Sequence, residues 1–232
     1  MRTRRFHSKG KTDHLFIEIV SNELYHLKNV LRKKRGDSIE VFNGKGSLFS
    51  GKIESINKSK AIVKITKEIL KERPSTNIII APSLLKKKTM NLMIEKLTEM
   101  GVNKIQPVIF ARTEAVYSNS LISKWEKLAI ESLKVNGNLW VTDINPPCSV
   151  KELILSSSEI KNKILLDIEG EKAYFKGIGQ FVCVIGPPGG FTSEERKLFT
   201  KSGFIPININ ESVMKVETAA FSTVSILKYL IR

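Results

Sequence analysis

The sequence predicts an α/β protein in which a small, mostly β domain precedes a larger domain of alternating strands and helices. Residues 15–66 contain short β-rich runs with period-two alternation of apolar side chains, and turn residues separate them. From residue 77 onward, short apolar runs alternate with stretches in which apolar residues recur at helical spacing. Such alternation is typical of a mainly parallel sheet covered by helices on both faces.

The first domain is predicted over residues 1–72 as a small barrel with one short helix. Ser21 resembles a helix start, and Leu24 and Leu27 follow it with helical spacing. A charged segment at 67–76 is the candidate linker to the next domain. Four strands are expected in the β-rich runs at 15–20, 38–42, 48–53 and 61–66.

The second domain is predicted over residues 76–232. Pro107 cannot donate a ladder hydrogen bond, which favours an edge or bulge position for the strand that contains it. Strands are expected in the apolar runs at 77–81, 104–110, 163–168, 181–185 and 204–209. Helices are expected where apolar residues recur every three or four positions, at 90–100, 121–135 and 217–231.

Composition narrows the function classes. The chain has 38 Lys and Arg against 23 Asp and Glu, a net charge of +15, which favours a polyanionic partner such as RNA or DNA. A lysine-rich but merely solvated surface is the alternative. Cys148 and Cys183 form no CxxC pair, and the three histidines lack ligand spacing, so we expect no metal site. We find no membrane-spanning run or signal peptide and expect a cytoplasmic protein without membrane contact.

The segment at 185–192 is the first candidate site, because a buried strand there runs into a loop rich in glycine and proline. Loops at the carboxyl ends of parallel strands bind ligands, and those at 166–170, 185–190 and 209–218 converge if their strands are neighbours. A tight turn without a ligand is the alternative. The dinucleotide and phosphate-loop patterns are both absent, so we expect a ligand held by backbone and shape. Thr192 and Glu195 have capping-box spacing and predict a following helix.

Two segments resemble one known family. Residues 186–195, Gly-Pro-Pro-Gly-Gly-Phe-Thr-Ser-Glu-Glu, and residues 213–220, Val-Met-Lys-Val-Glu-Thr-Ala-Ala, are similar to motifs of ribosomal RNA small subunit methyltransferase E. This family belongs to the SPOUT superfamily of knotted methyltransferases. Weaker matches, such as residues 96–102, extend the resemblance over essentially the full length of the chain.

The resemblance implies an α/β fold: a SPOUT-type α/β domain with a C-terminal trefoil knot, preceded by a small PUA-like β-barrel domain that binds RNA. It implies that the knot holds S-adenosyl-L-methionine and that a homodimer places its active sites at the interface. The implied reaction is methylation of N3 of a uridine in 16S ribosomal RNA, either free or within the small ribosomal subunit. No metal is implied.

The resemblance also implies site residues. The imide N3 of uridine is a weak nucleophile until its proton leaves, so a base or a neighbouring cation helps. The candidates for these catalytic roles are Arg32, Lys215 and Glu217. Arg32 as a phosphate contact and Glu217 as a helix-capping acid are the alternatives. The RNA-binding candidates are Arg2, Arg5, Arg32 and Lys33. The cofactor-binding candidates are Leu166, Ile168, Gly170, Ile185, Gly186, Pro187, Gly189, Gly190, Ile209, Val213, Met214, Thr218 and Ala219.

The sequence departs from the family pattern at several positions. Pro188 stands where the family usually has Glu, and Lys215 replaces an Arg, which keeps the charge but loses the bidentate fork. Ser212, Val135 and Asn138 also occupy positions where the family tends to have polar or basic residues. Pro188, Val135 and Asn138 prompt one alternative on the same scaffold, a non-catalytic RNA-binding or ribosome-assembly protein. A further alternative is a SPOUT methyltransferase with a different RNA target or a different base atom.

Overall fold

A computed structural model describes residues 5–8, 13, 15–172 and 179–231. The chain divides into two compact units. The first comprises residues 1–73 together with 133–141, and the second comprises 74–132 and 142–232. The candidate RNA-binding residue Arg2 lies outside the described residues.

The first unit contains a five-stranded sheet in the order β1-β3-β4-β5-β2. Strand β1 pairs with β3 in parallel, and the other neighbours are antiparallel. The sheet curls into a half-barrel, and its two edges approach each other where Ser8, just after β1, donates a hydrogen bond of 2.5 Å to the carbonyl of Glu18 in β2. The strands are β1 Arg5–His7, β2 Phe16–Val20, β3 Ser38–Phe42, β4 Ser47–Ile56 and β5 Lys60–Leu70.

A short helical segment covers the apolar inner face of this sheet. Helix α1 spans Ser21–Tyr25 and continues into a π-helical segment at His26–Val30. Leu24 and Leu27 are buried in a core with Phe6 and other apolar strand residues. The predicted short helix is therefore confirmed, and its apolar spacing reflects burial against the sheet.

The second unit is built on a six-stranded, all-parallel sheet in the order β13-β11-β12-β6-β7-β9. A separate two-stranded parallel sheet joins β8 and β10. The strands are β6 Asn77–Pro82, β7 Lys104–Ile105, β8 Val108–Ile109, β9 Asp143–Ile144, β10 Cys148–Ser149, β11 Asn162–Glu171, β12 Gln180–Ile185 and β13 Ile205–Ile207.

Helices cover both faces of the six-stranded sheet, as predicted. Val182 and Val184 face a core that includes Leu153 and Phe199 from helices α4 and α5, which span Val150–Ser156 and Ser193–Lys201. On the other face, α6 packs against β6, β12 and α2. The remaining helices are α2 Lys87–Glu99, α3 Ser120–Asn136 and α6 Val216–Leu230.

The prediction of one strand over 104–110 was wrong. The segment forms β7 and β8, which belong to different sheets, and Pro107 lies between them. A proline lacks the N–H that a continuous ladder requires, so the chain leaves one sheet at this residue and enters the other. The change of sheet carries the following residues past the carboxyl end of β6, where Ser83 pairs with Val108 in an isolated bridge.

Candidate functional site

A cavity of about 830 Å³ opens in the second unit at the carboxyl ends of β11, β12 and β13. These three strands are neighbours and run parallel, with β11 in the middle. The loops that follow β12 and β13 line the cavity together with residues 166–168. The expected convergence at this sheet edge is confirmed, but the predicted loop at 166–170 is part of β11, which continues to Glu171. The volume lies within the range of pockets that bind small molecules and cofactors.

Most of the predicted cofactor-binding residues line this cavity. Lys215 and Glu217, two of the catalytic candidates, also line it. Gly170 and Thr218 do not. The cofactor-binding candidates in its wall are Leu166, Ile168, Ile185, Gly186, Pro187, Gly189, Gly190, Ile209, Val213, Met214 and Ala219.

Gly170 faces the neighbouring strand instead of the cavity. A Cβ atom at this position would lie 2.5 Å from the backbone nitrogen of Ile207 and 2.6 Å from the carbonyl carbon of Pro206. The register between β11 and β13 shifts between Leu166 and Glu171, so the two backbones approach closely here. The absence of a side chain at Gly170 therefore serves the strand contact. Thr218 lies in α6 with an exposed side chain.

The glycine loop after β12 forms one wall of the cavity. Its tightest point is a turn in which the Gly190 N–H donates to the Pro187 carbonyl at 2.8 Å, and Gly190 has a φ of +71°. Among the described residues, no atom lies within 4 Å of the position that a Gly190 Cβ would occupy. Gly186 is constrained differently, because its Cβ would lie 2.9 Å from the ring of Phe191. The loop thus needs one glycine for its backbone angle and another for packing.

A salt-bridge cluster holds the C-terminal part of β11. The Asp167 carboxylate is buried and forms an ion pair of 2.7 Å with Arg196 of α5. Arg196 also bonds Glu169 at 2.5 Å, and this hydrogen bond together with nearby Asp167 raises the pKa of Arg196. The guanidinium is therefore charged at any physiological pH and fixes the C-terminal part of β11 to the helix that follows the glycine loop.

Asn208 connects the loop after β13 to β11. Its side-chain amide donates to the Ile168 carbonyl at 2.9 Å, and its carbonyl oxygen accepts from the Asn210 N–H at 2.9 Å. The C-terminal part of β11 is thus held on both sides, to α5 by Arg196 and to the loop after β13 by Asn208. These contacts fix this part of the cavity wall before a ligand binds, which is the preorganisation that a binding site requires.

Lys215 and Glu217 lie where the β13 loop enters α6. Lys215 occupies the position before the helix with extended backbone angles, and its side chain makes no capping hydrogen bond. Glu217 is in the first turn, where the helix dipole favours an acid. The cation and the carboxylate therefore both reach the cavity from one short segment.

The remaining candidates belong to the first unit. Arg32 is exposed and has a φ of +49°, directly after the π-helical segment and Leu31. Lys33 is half-buried, and its N–H donates to the Leu27 carbonyl at 3.0 Å. Arg5 forms a half-buried ion pair of 2.9 Å with Glu40. The Arg5 side chain thus makes a structural contact, whereas Arg32 presents its charge to solvent and has a strained backbone conformation.

Sequence reasoning missed the residues that reach the cavity from β6 and β8. Ser83 follows β6, and Arg112 and Thr113 follow β8. It also missed Asp167 and Arg196, which lie next to predicted residues. No sequence signal places β6 beside β12, because their pairing connects residues about a hundred positions apart. An acid directly after an apolar strand was the only available sign for Asp167.

Two other kinds of site are not found in the described part of the chain. No helix there is both long and apolar enough to cross a membrane. No group of three or more His, Cys, Asp and Glu side chains, among the residues that the structure describes, is arranged to hold a metal ion.

Comparison with known proteins agrees with this architecture. Residues 71–228 match the family model of an RNA methyltransferase domain, and residues 22–66 match that of an RNA methyltransferase PUA domain. The chain is 27% identical to ribosomal RNA small subunit methyltransferase E of Aquifex aeolicus, over 96% of this chain and 97% of that protein. It is 27% identical to the protein of the same name from Buchnera aphidicola, over 88% of this chain and 84% of that protein.

Solved structures give the same result. A putative methyltransferase from Legionella pneumophila, in complex with its bound cofactor SAM, has a TM-score of 0.89 and 25% identity over 99% of this chain and 98% of that one. A ribosomal RNA small subunit methyltransferase E from Neisseria gonorrhoeae has a TM-score of 0.91 and 24% identity over the same shares, and it shares the fold. The chain therefore belongs to the RNA methyltransferase domain family, in the group that contains ribosomal RNA small subunit methyltransferase E.

Proposed function

We propose that this protein methylates N3 of a uridine in 16S ribosomal RNA, with S-adenosylmethionine as the methyl donor. The observation that carries the proposal is the cavity of about 830 Å³ walled by the glycine loop, in a chain of the RNA methyltransferase family. Curated relatives that carry the name ribosomal RNA small subunit methyltransferase E match most of the chain, which supports this choice of substrate.

The residues of the cavity fit this cofactor. The wall combines apolar side chains, such as Leu166 and Ile185, with polar groups such as Thr113 and Asn208. Open space beside Gly190 lets a ligand approach the backbone closely. The cofactor, when bound, supplies an activated methyl group on a sulfonium. The C-terminal part of β11 and the loops after β12 and β13 would hold it through backbone groups and shape.

The chain's own residues would orient the uridine and accept the proton that leaves N3. Lys215 would stabilise negative charge on the imide, and this role is supported by its position in the cavity wall at the start of α6. Glu217, in the first turn of the same helix, would accept the proton. Both groups would act on a base positioned in the cavity, and their electrostatic effect would increase when bound RNA displaces water from Lys215, which is exposed.

The assembly is part of the same proposal. Residues 1–72 would act as a PUA-like RNA-binding domain, and residues 76–232 as a SPOUT domain with its cofactor in a trefoil knot. We propose a cytoplasmic homodimer with active sites at the interface, whose partner is 16S ribosomal RNA or the small subunit. Sedimentation equilibrium would detect the dimer, and a monomer at micromolar concentration would contradict it.

One assay tests the reaction. The protein is incubated with small-subunit RNA that lacks the modification and with isotope-labelled S-adenosylmethionine, and the nucleosides are identified by mass spectrometry. Label at N3 of uridine is the expected result. Label on another base atom would mean a different target for the same fold. Tight RNA binding without label would mean a non-catalytic protein, which is the outcome that Pro188 in the cavity wall would then explain.

Replacing Arg32 by glycine is expected to weaken RNA binding without destabilising the protein. Arg32 adopts left-handed backbone angles, so Arg32→Gly relieves strain and leaves the free energy of unfolding unchanged or raised by less than about 1 kcal/mol. The loss of one phosphate contact weakens RNA binding and lowers the salt dependence of log K by about one unit. RNA titrations at several salt concentrations and urea melts measure both quantities.

Ser21 provides the matched control. It also has a positive φ, of 54°, and an exposed side chain in the same unit, but it carries no charge. Ser21→Gly should therefore affect stability in the same direction as Arg32→Gly and leave the RNA affinity unchanged. Equal RNA affinity in the two variants would remove Arg32 from the RNA-binding surface.

A further inference from the structure

Two helices of the second unit begin with the same capping box. At the start of α5, the Thr192 hydroxyl accepts from the Glu195 N–H at 3.2 Å, and the Glu195 carboxylate accepts from the Thr192 N–H at 2.8 Å. At the start of α4, Ser149 and Glu152 make the equivalent bonds at 3.3 Å and 2.7 Å. The two boxes thus offer a matched pair within one protein.

The two capping carboxylates differ in what else they contact. Glu195 is only 7% exposed, and its second oxygen accepts a hydrogen bond of 2.8 Å from the N–H of Ala111. Glu152 is exposed, its side-chain bonds go to Ser149, and the bond from the Ser149 backbone lowers its pKa. Glu195 is therefore a bridge to a distant segment, whereas Glu152 serves its own helix end.

The segment that Glu195 holds is a tight turn over residues 110–113. The Thr113 N–H donates to the Phe110 carbonyl at 3.0 Å, and the Thr113 hydroxyl accepts from the Phe110 N–H at 2.9 Å. The Phe110 ring packs edge-on against Phe191, with 5.5 Å between the ring centroids. The turn is thus rigid, and the Ala111 N–H is the point at which the buried carboxylate attaches it to α5.

Arg112, at the middle of this turn, contacts the glycine loop. Its guanidinium donates a hydrogen bond of 2.5 Å to the Gly189 carbonyl. The N–H of the same peptide group, that of Gly190, donates to the Pro187 carbonyl at 2.8 Å. The Gly189–Gly190 peptide is therefore held at both of its polar ends, and its orientation fixes the left-handed backbone of Gly190 in the cavity wall.

We propose that Glu195 and Arg112 are positioning residues of the cofactor site: the capping carboxylate of α5 fixes the turn that places Arg112 on the Gly189 carbonyl. This inference rests on the proposed function for the identity of the ligand. The chain of contacts runs from Glu195 to Ala111, then from Arg112 to Gly189. The contact from Arg112 sets the orientation of one peptide, and that peptide shapes the wall that the ligand meets.

The substitution Glu195→Gln tests this chain, because glutamine has the same size but only one acceptor oxygen. Its amide nitrogen must face one of two N–H donors, either that of Thr192 or that of Ala111. The matched control is Glu152→Gln at the equivalent position of the cap on α4, where one acceptor oxygen is enough because both bonds from Ser149 end on the same oxygen. Both substitutions replace a capping carboxylate by an amide, so thermal melts compare their structural cost directly.

Calorimetry with S-adenosylmethionine is the first readout. We expect Glu195→Gln to raise the dissociation constant about tenfold and Glu152→Gln to leave it within about twofold. Arg112→Ala should raise it by a similar factor, and the double variant Glu195→Gln with Arg112→Ala should be no weaker than Arg112→Ala alone. Equal affinities for the two glutamine variants, or fully additive losses in the double variant, would overturn the proposal.

Hydrogen exchange at the Gly190 amide, measured by NMR without ligand, is the second readout. It should quicken in Glu195→Gln and in Arg112→Ala but not in Glu152→Gln, because only the first two changes free the Gly189–Gly190 peptide. If the unmodified protein binds no S-adenosylmethionine, the proposed cofactor is wrong, and the exchange rates still decide whether Glu195 positions the loop. Equal exchange rates in all variants would refute the positioning role.

Discussion

Replacing Lys215 by methionine is expected to slow methyl transfer about a hundredfold while leaving the affinity for S-adenosylmethionine within a few-fold of normal. Lys215 reaches the cavity from the start of α6, where its ammonium can stabilise charge that develops on the imide. A fixed charge beside a developing anion acts mainly in the transition state, so the loss should appear in kcat. Single-turnover transfer of labelled methyl to RNA measures it.

Two variants make this result interpretable. Lys215→Arg keeps the charge and should retain most of the rate. Lys86→Met removes another lysine of the cavity wall, whose side chain is 80% exposed and paired with Glu114, and should change the rate less than threefold. A Lys215→Met protein that transfers methyl at the normal rate would exclude Lys215 from the chemistry.

Replacing Gly170 by alanine is expected to lower the free energy of unfolding by about 3 kcal/mol. The added methyl would lie 2.5 Å from the backbone nitrogen of Ile207, and backbone atoms cannot move aside as a flexible side chain can. For a chain of this size such a loss corresponds to a fall in Tm of about 10 °C. Thermal melts without ligand measure the change.

Gly203 provides the comparison for this prediction. It follows α5, has a φ of +83°, and no described atom lies within 4 Å of its Cβ position. Gly203→Ala therefore adds backbone strain without a clash, at a cost of about 1 kcal/mol. If Gly170 were a cofactor contact instead, Gly170→Ala would weaken binding while the melting temperature without ligand stayed unchanged.

Most of the site could be predicted from the sequence, because the main wall of the cavity comes from strands that are consecutive along the chain. The predicted loops at 185–190 and 209–218 follow neighbouring parallel strands, and topology brings such ends together beside residues 166–170, which belong to β11. Gly170 shows where this reasoning stops. A glycine after a strand looks the same in sequence whether a ligand or a neighbouring strand occupies the space beside it, and only the position of Ile207 distinguishes the two.

Arg112 shows a second kind of limit. It lies 77 residues before Gly189, and the two meet because Pro107 diverts the chain from one sheet to another. Local patterns report which face of an element is apolar, but not which distant segment will lie beside a loop. The fold class followed from periodicity, whereas the contacts that shape the glycine loop follow from three-dimensional pairing.

The first unit takes in residues 133–141, and this has a consequence during synthesis. The Leu139 carbonyl accepts from the Gly46 N–H at 3.0 Å, and the Val141 N–H donates to the Gly44 carbonyl at 3.0 Å. The indole N–H of Trp140 donates to the Lys71 carbonyl at 3.2 Å. As the chain leaves the ribosome, the β-rich unit therefore cannot complete its fold after residue 73. It must wait for residue 141 to emerge, with the first part of the following unit already exposed.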